Sequence, residues 1–273
     1  MYKKRVPYFK AKPLQKTAFN TIPIDCSCEI WMILFHMQFN PRLLDVFDFY
    51  FAMSTSTIAA EKFIIKYIMK ILIRIKNNLS HLCKKEPLLV FDGIQTNPYK
   101  KALTEERRTQ RNEAYQDFII SLHFSKKNIG KSYLKYVSHE CAGYQQLIYE
   151  HCLKHSLHPI RAKNDSDFLL SQHPVVYSHD LDLILMGCSQ IITAVGDDGV
   201  YHKSLNDIIK EWKLSNRDEL IVICLLLGTD YNLHQEVTKS FSQYRKMNLS
   251  PLSLSDPYLK ELYELLSHKK ETL

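Results

Sequence analysis

At 273 residues with 45% apolar composition, the chain fits one large α/β domain or two small ones, with enough apolar residues for a substantial core. A formal charge of +7 and a pI near 8.9 suit a polyanionic partner. The seven cysteines form no C-x-x-C pair, which excludes a disulfide framework, and the longest early uncharged run is too short to span a bilayer. The expectation is a soluble intracellular protein, in nucleus or cytoplasm, with no membrane partner and no small-molecule cofactor.

In chain order, residues 1–20 read as a basic, aromatic extension. Residues 21–24 form a short apolar strand ending at Asp25, and residues 30–37 continue as a buried helix with Trp31 and Met32 in the core. Residues 43–79 carry a long helical pattern, broken near 54–57. Residues 87–91 (PLLVF) are a buried strand closed by Asp92-Gly93. Residues 94–137 are polar and strongly charged. A helix is expected over 138–155, a weak strand over 158–162 and a short helix through Phe168 and Leu169. Residues 175–177 form a strand ending near Asp180, and 191–194 and 200–202 are edge-strand candidates. Asn216 and Glu219 suggest a capping box opening a helix over 220–227 that ends at Gly228. Alternating strands and helices imply an α/β fold: a mainly parallel central sheet with helices on both faces.

That order gives the aspartates their meaning. Asp25, Asp92 and Asp180 each lie just past an apolar strand, and ligands of open α/β sheets bind outside the carboxyl ends of strands. Asp165-Ser166-Asp167 and Asp180-Leu181-Asp182 bring carboxylates in pairs, and Asp230 follows a helix ending in Leu-Gly-Thr. Carboxylates crowded in this way raise one another's pKa unless a cation relieves them. An all-oxygen set fits Mg²⁺ or Mn²⁺, and two such ions about 3.5–4 Å apart can flank a phosphodiester displacement.

Five short elements, in order, resemble those of flap endonucleases and other XPG-type 5′ nucleases, which have a PIN-like fold. They are Ile24-Asp25-Cys26-Ser27, Val90-Phe91-Asp92-Gly93, Ala162-Lys163-Asn164-Asp165-Ser166-Asp167, residues 178–187 (SHDLDLILMG) and Leu226-Leu227-Gly228-Thr229-Asp230-Tyr231. The third differs from the family's A-x-x-E-A-E in having Asp for both Glu, and so places its carboxylates one methylene nearer the backbone. The resemblance implies a two-metal nuclease. Asp25, Asp92 and Asp167 would hold the ion that activates water; Asp165, Asp180, Asp182 and Asp230 would serve the ion on the leaving-group side.

The resemblance also implies that residues 94–137 are a helical arch over single-stranded nucleic acid. A Lys and an Arg seven positions later contact the scissile phosphate in the family. Lys100 and Arg107 have that spacing, and so do Lys101 and Arg108. Arg111, Lys126, Lys127, Lys131 and Lys135 could add phosphate contacts, and Tyr99, Tyr115 and Phe124 could stack on bases or anchor the arch. Glu105 and Glu106 read as arch surface.

One departure and one further likeness bear on substrate. No glycine follows Gly228, so the family's Gly-x-Gly duplex-binding turn has no counterpart in the divergent region 231–273. Residues 180–188 are similar to a stretch of herpesvirus host-shutoff nucleases, which cut RNA. The expected substrate is DNA with a single-stranded flap or junction; the alternatives are an mRNA-degrading endoribonuclease, as in viral members, and a catalytically weakened nucleic-acid-binding protein. The basic stripe Lys66, Lys70 and Arg74 reads as a solvated helix face. His139, Cys141, His151, Cys152, His155 and His158 lack the paired spacing of a zinc site. Cys26 and Cys28 read as small packing residues at a helix start.

Overall fold

The computed structural model describes residues 12–13, 19–53, 56–94, 97–125, 128–196, 199–232, 237–247 and 249–267. Most of the extension, the arch residues Lys126 and Lys127, and positions 233–236 of the divergent turn lie outside the described residues. Among the described residues no helix is long and apolar enough to cross a membrane.

The strands are β1 (Lys12–Pro13), β2 (Pro23–Asp25), β3 (Leu88–Phe91), β4 (Ile160–Arg161), β5 (Val175–Tyr177), β6 (Gln190–Gly196) and β7 (Gly199–Ser204). They form one sheet in the order β1-β7-β6-β5-β2-β3-β4. The run from β6 to β4 is parallel, whereas β7 pairs antiparallel with both β6 and β1. The strand candidates at 191–194 and 200–202 are therefore not edges: β1, drawn from the basic extension, covers β7.

Helices α1 (Cys26–Met37), α2 (Pro41–Met53) and α3 (Ile58–Ser80) precede β3. Then come α4 (Lys101–Ile120), α5 (Ile129–His139), α6 (Cys141–Lys154), α7 (Ser166–Leu170), α8 (Asp182–Leu185), α9 (Leu205–Trp212), α10 (Arg217–Leu227), α11 (Phe241–Arg245) and α12 (Pro257–Ser267). The expected helix over 138–155 is instead two, because Glu140 leaves helical geometry (ψ 30°) between α5 and α6.

Strand pleating sorts the core into two layers. Ile24, Leu89, Phe91, Val175, Tyr177 and Ile192 pack with α1, α2, α3, α5 and α6. Val90, Val176 and Ile191 face the other way, onto α7, α8, α9, α10 and α12. Helix α10 is buried on nearly every side, as expected of an innermost helix. Arg217 fastens it, bonding the carbonyls of Leu185, Leu266 and Ser267. The expected capping box is only half formed. Asn216 Oδ1 accepts from Glu219 N at 2.9 Å, but the Glu219 carboxylate accepts from Ser215 N.

In α1 the core face is Ile30, Ile33, Leu34 and Met37. Trp31 is 37% exposed, stacked on Phe35 with ring centroids 5.3 Å apart, and Met32 is half-buried. The expectation of a core Trp31 fails because the helical phase set by Ile30 and Leu34 turns residue 31 outward. In α3 the outer face carries Lys66, Lys70 and Arg74, all exposed.

Candidate active site

The sheet order puts β2 between β3 and β5. The chain leaves β2 to build one wing of the sheet, then returns to its other side, making the carboxyl end of β2 the switch point where a crevice opens. Asp25 ends β2, Asp92 follows β3, and Asp180 lies three residues past the end of β5.

Local backbone motifs fix the carboxylates. Asp25 caps α1 through Oδ1, which accepts from Cys28 N at 3.0 Å. Asp165 caps α7, accepting from Asp167 N at 3.1 Å, and Asp180 Oδ1 accepts from Asp182 N at 2.9 Å. Gly93 lets the loop after Asp92 lie against the backbone of Lys163 and Asn164, where a Cβ would collide with carbonyl oxygens; Gly93 N donates to Asn164 O. That close approach sets Asp92 beside the Asp165–Asp167 turn. Past α10, Gly228 adopts a φ of 96°, and Asn232 Oδ1 accepts from both Thr229 N and Thr229 Oγ1 at 2.7 Å. This turn presents Asp230.

Three serines bind the segments together. Ser27 Oγ accepts from Asp92 N at 2.9 Å. Ser166 donates to Asp92 Oδ1 from its amide (3.0 Å) and its hydroxyl (2.6 Å). Ser178 Oγ donates to Asp25 Oδ2 at 2.8 Å and accepts from Asp180 N. Tyr231 OH donates to Asp167 Oδ2 at 3.1 Å. None of these four stood out as functional from the sequence, although each lies inside one of the five motif elements.

The arch root supplies the cations. Lys100 closes a 3-10 turn (Pro98–Lys100), and its Nζ lies 2.6 Å from both Asp165 Oδ2 and Asp167 Oδ2. Arg107, two turns along α4, approaches Asp230 at 3.6 Å. The alternative frame points away: Lys101 is exposed, and Arg108 pairs with Glu105 on the arch surface. Glu106 is likewise exposed. Arg111 pairs with Glu140 and Lys135 with Asp117. Of the aromatic candidates, Tyr99 donates to Glu261, Tyr115 packs on Tyr136, and Phe124 is exposed.

The electrostatics are those of a crowded acidic pocket. Burial, then the charges of Asp92 and Asp180, raises Asp25 to about 7. Burial and the charge of Asp25 raise Glu29 to about 8. Asp182 is pushed well up by burial and by Asp180 and Asp230, and Asp180 is raised by burial and Asp230. Asp165 and Asp167 divide one ammonium between them. Burial raises both, but for Asp165 the nearby Lys100 prevails and holds it ionised; Asp167, beside an ionised Asp165, is pushed up. The Lys100 ammonium, despite its burial, is held charged by Asp167, Tyr231 and Asp165.

Among the described residues no three His, Cys, Asp or Glu side chains are arranged to chelate an ion. The donor chemistry nonetheless fits a hard divalent cation: oxygen ligands only, half-buried to buried, and strained by mutual repulsion. Between Asp165 and Asp167 lies the Lys100 ammonium.

No protein-family model and no curated protein matches the chain. Solved structures do. The catalytic core of Rad2 in complex with DNA substrate superposes with a TM-score of 0.48 at 16% identity, over 96% of this chain and 76% of that one. A second Rad2 catalytic core gives 0.46 at 15% identity with the same coverage. T5 D15 protein co-crystallised with metal ions gives 0.47 at 10% identity, over 92% of this chain and 87% of that one.

Proposed function

We propose that this chain is a divalent-metal-dependent nuclease of the 5′ nuclease type, acting first on DNA that carries a single-stranded flap or junction. The observation that carries this reading is the linkage of seven aspartates at the switch point of the sheet, faced by two arch cations. A pocket that only bound nucleic acid would gain nothing from so many negative charges set against phosphates. Mg²⁺ or Mn²⁺, held by Asp25, Asp92 and Asp167 on one side and Asp165, Asp180, Asp182 and Asp230 on the other, would supply Lewis acidity toward phosphate oxygens and lower the pKa of an attacking water.

The chain's own residues do the rest. Ser178 and Cys28 N hold Asp25 in one orientation, and Ser166 does the same for Asp92. Arg107 and Lys100 bring positive charge to a phosphate entering beneath α4 and orient it. Burial of the pocket strengthens each of these contacts.

RNA is the rival substrate, favoured by the absence of any glycine after Gly228. The test offers purified protein, with Mg²⁺ or Mn²⁺, a 5′-flap DNA, a plain duplex and an unstructured RNA, beside an Asp180→Asn control. Flap cleavage by the wild type and not by the control is expected. RNA-only cleavage moves the assignment to a ribonuclease. Binding without cleavage in either metal would overturn the enzyme reading.

A further inference from the structure

We infer that Lys100 is an internal stand-in for a divalent ion: its contact with Asp165 and Asp167 and metal occupancy of those carboxylates exclude each other, so loading the site frees the root of the arch. The inference rests on the metal-dependent reading above and adds an order of events to it.

The Lys100 ammonium uses one oxygen from each carboxylate, at 2.6 Å. Mg²⁺ would claim the same carboxylate oxygens as its ligands. A dication and an ammonium cannot share them, because like charges a few ångströms apart in a buried pocket repel strongly. Lys100 is well placed as an occupant. Its side chain is only 16% exposed, its Nζ lies 4.8 Å from the Tyr231 ring centroid, and the Tyr231 hydroxyl bonds the same Asp167 oxygen. An ammonium so enclosed stays only while the carboxylates face it.

What Lys100 holds is the start of α4. It ends the 3-10 turn capped by Asn97, whose Oδ1 accepts from Tyr99 N at 3.0 Å, and it is the residue from which α4 begins. Tyr99, in the same turn, reaches across to Glu261 of α12. When Lys100 leaves Asp165 and Asp167, the turn keeps the Tyr99 anchor but loses its inner one. The freed ammonium then lies next to the space that a phosphate would enter. While Lys100 sits on Asp165 and Asp167, the arch root is latched and the phosphate-orienting lysine is withdrawn.

The test is Mn²⁺ binding, by titration calorimetry, to wild type, Lys100→Met and Arg107→Met, with hydrogen exchange of residues 98–104 in the wild type with and without Mg²⁺. Lys100→Met should bind the first Mn²⁺ at least about 10-fold tighter than wild type, since no occupant has to leave. Arg107→Met removes the same charge near Asp230 without freeing an oxygen of Asp165 or Asp167, and should gain clearly less. Mg²⁺ should speed exchange over 98–104. Equal gains in the two variants, or exchange that Mg²⁺ leaves unchanged or slows, would overturn the inference while leaving the nuclease reading standing. No Mn²⁺ bound by any of the three proteins would sink both. The wild-type exchange measurement decides the matter even if Lys100→Met fails to fold.

Discussion

The acidic pocket and the outer face of the arch carry opposite charge in opposite ways. Asp25 and Asp167 are buried and the other five aspartates half-buried, most are held by named donors, and several are pushed toward their neutral forms by their neighbours. Lys101, Arg108 and Lys135 lie on the outer surface of the arch, and Arg108 and Lys135 are paired only with exposed carboxylates. Exposed charge is nearly free of cost, whereas buried like charge opposes folding. The contrast teaches where function is concentrated: the protein tolerates an unfavourable pocket, and a cation from outside would relieve it.

The strongest way to break the contrast is to remove one buried charge. Asp25→Asn should lower cleavage on the order of 10³-fold, about 4 kcal/mol of transition-state stabilisation, while raising apo-protein stability by about 1 kcal/mol. Paired rate and urea-denaturation measurements check both signs, and a variant that is both active and less stable would contradict the pocket's assigned role. Asp92→Ala should likewise abolish turnover but leave nucleic-acid affinity, read by filter binding, intact or improved.

Next in size is pH. Asp25 titrates near 7 in the folded protein against an ordinary 3.8, and Glu29 near 8 against 4.5. Across that window the folded form retains protons that the unfolded chain has released, so stability must fall as pH rises. In EDTA the unfolding free energy should drop by about 1–3 kcal/mol between pH 5 and pH 8. Added Mg²⁺ should flatten or reverse the slope, because the ion takes the protons' place. Rising stability toward pH 8 in EDTA would count against an uncompensated pocket.

Smaller effects sharpen the other half of the comparison. Arg107→Ala should weaken binding of flap DNA about 10-fold and reduce the salt slope of binding by about one. Smallest of all, Arg108→Ala should change stability by less than about 0.5 kcal/mol and leave cleavage near wild type. A large defect there, with Arg107→Ala mild, would reverse the frame in which the arch meets the pocket.

Much of the fold is legible in the sequence. β2, β3 and β5 announce themselves as apolar runs closed by or near an aspartate, and the long pattern over 43–79 breaks between α2 and α3 as read. The rest depends on contacts between distant segments. Ser178 and Asp25 are separated by 153 positions, and nothing local marks their bond. Lys100/Arg107 and Lys101/Arg108 are equivalent by spacing; the short turn at Pro98–Lys100 decides which pair turns inward. Trp31 shows the converse error, where hydrophobic character pointed to the core but helical phase sent the side chain to the surface.

Asp25 illustrates how chemistry and scaffold share atoms. One of its oxygens caps the helix that carries Ser27, and Ser27 in turn holds the amide of Asp92. Asparagine retains a carbonyl able to cap, so an amide substitution silences the charge while sparing the fold, whereas alanine would also loosen the neighbouring strand end. In this molecule a truncation that destroys a ligand also slackens the frame around it, and isosteric amides are the instruments that tell the two losses apart.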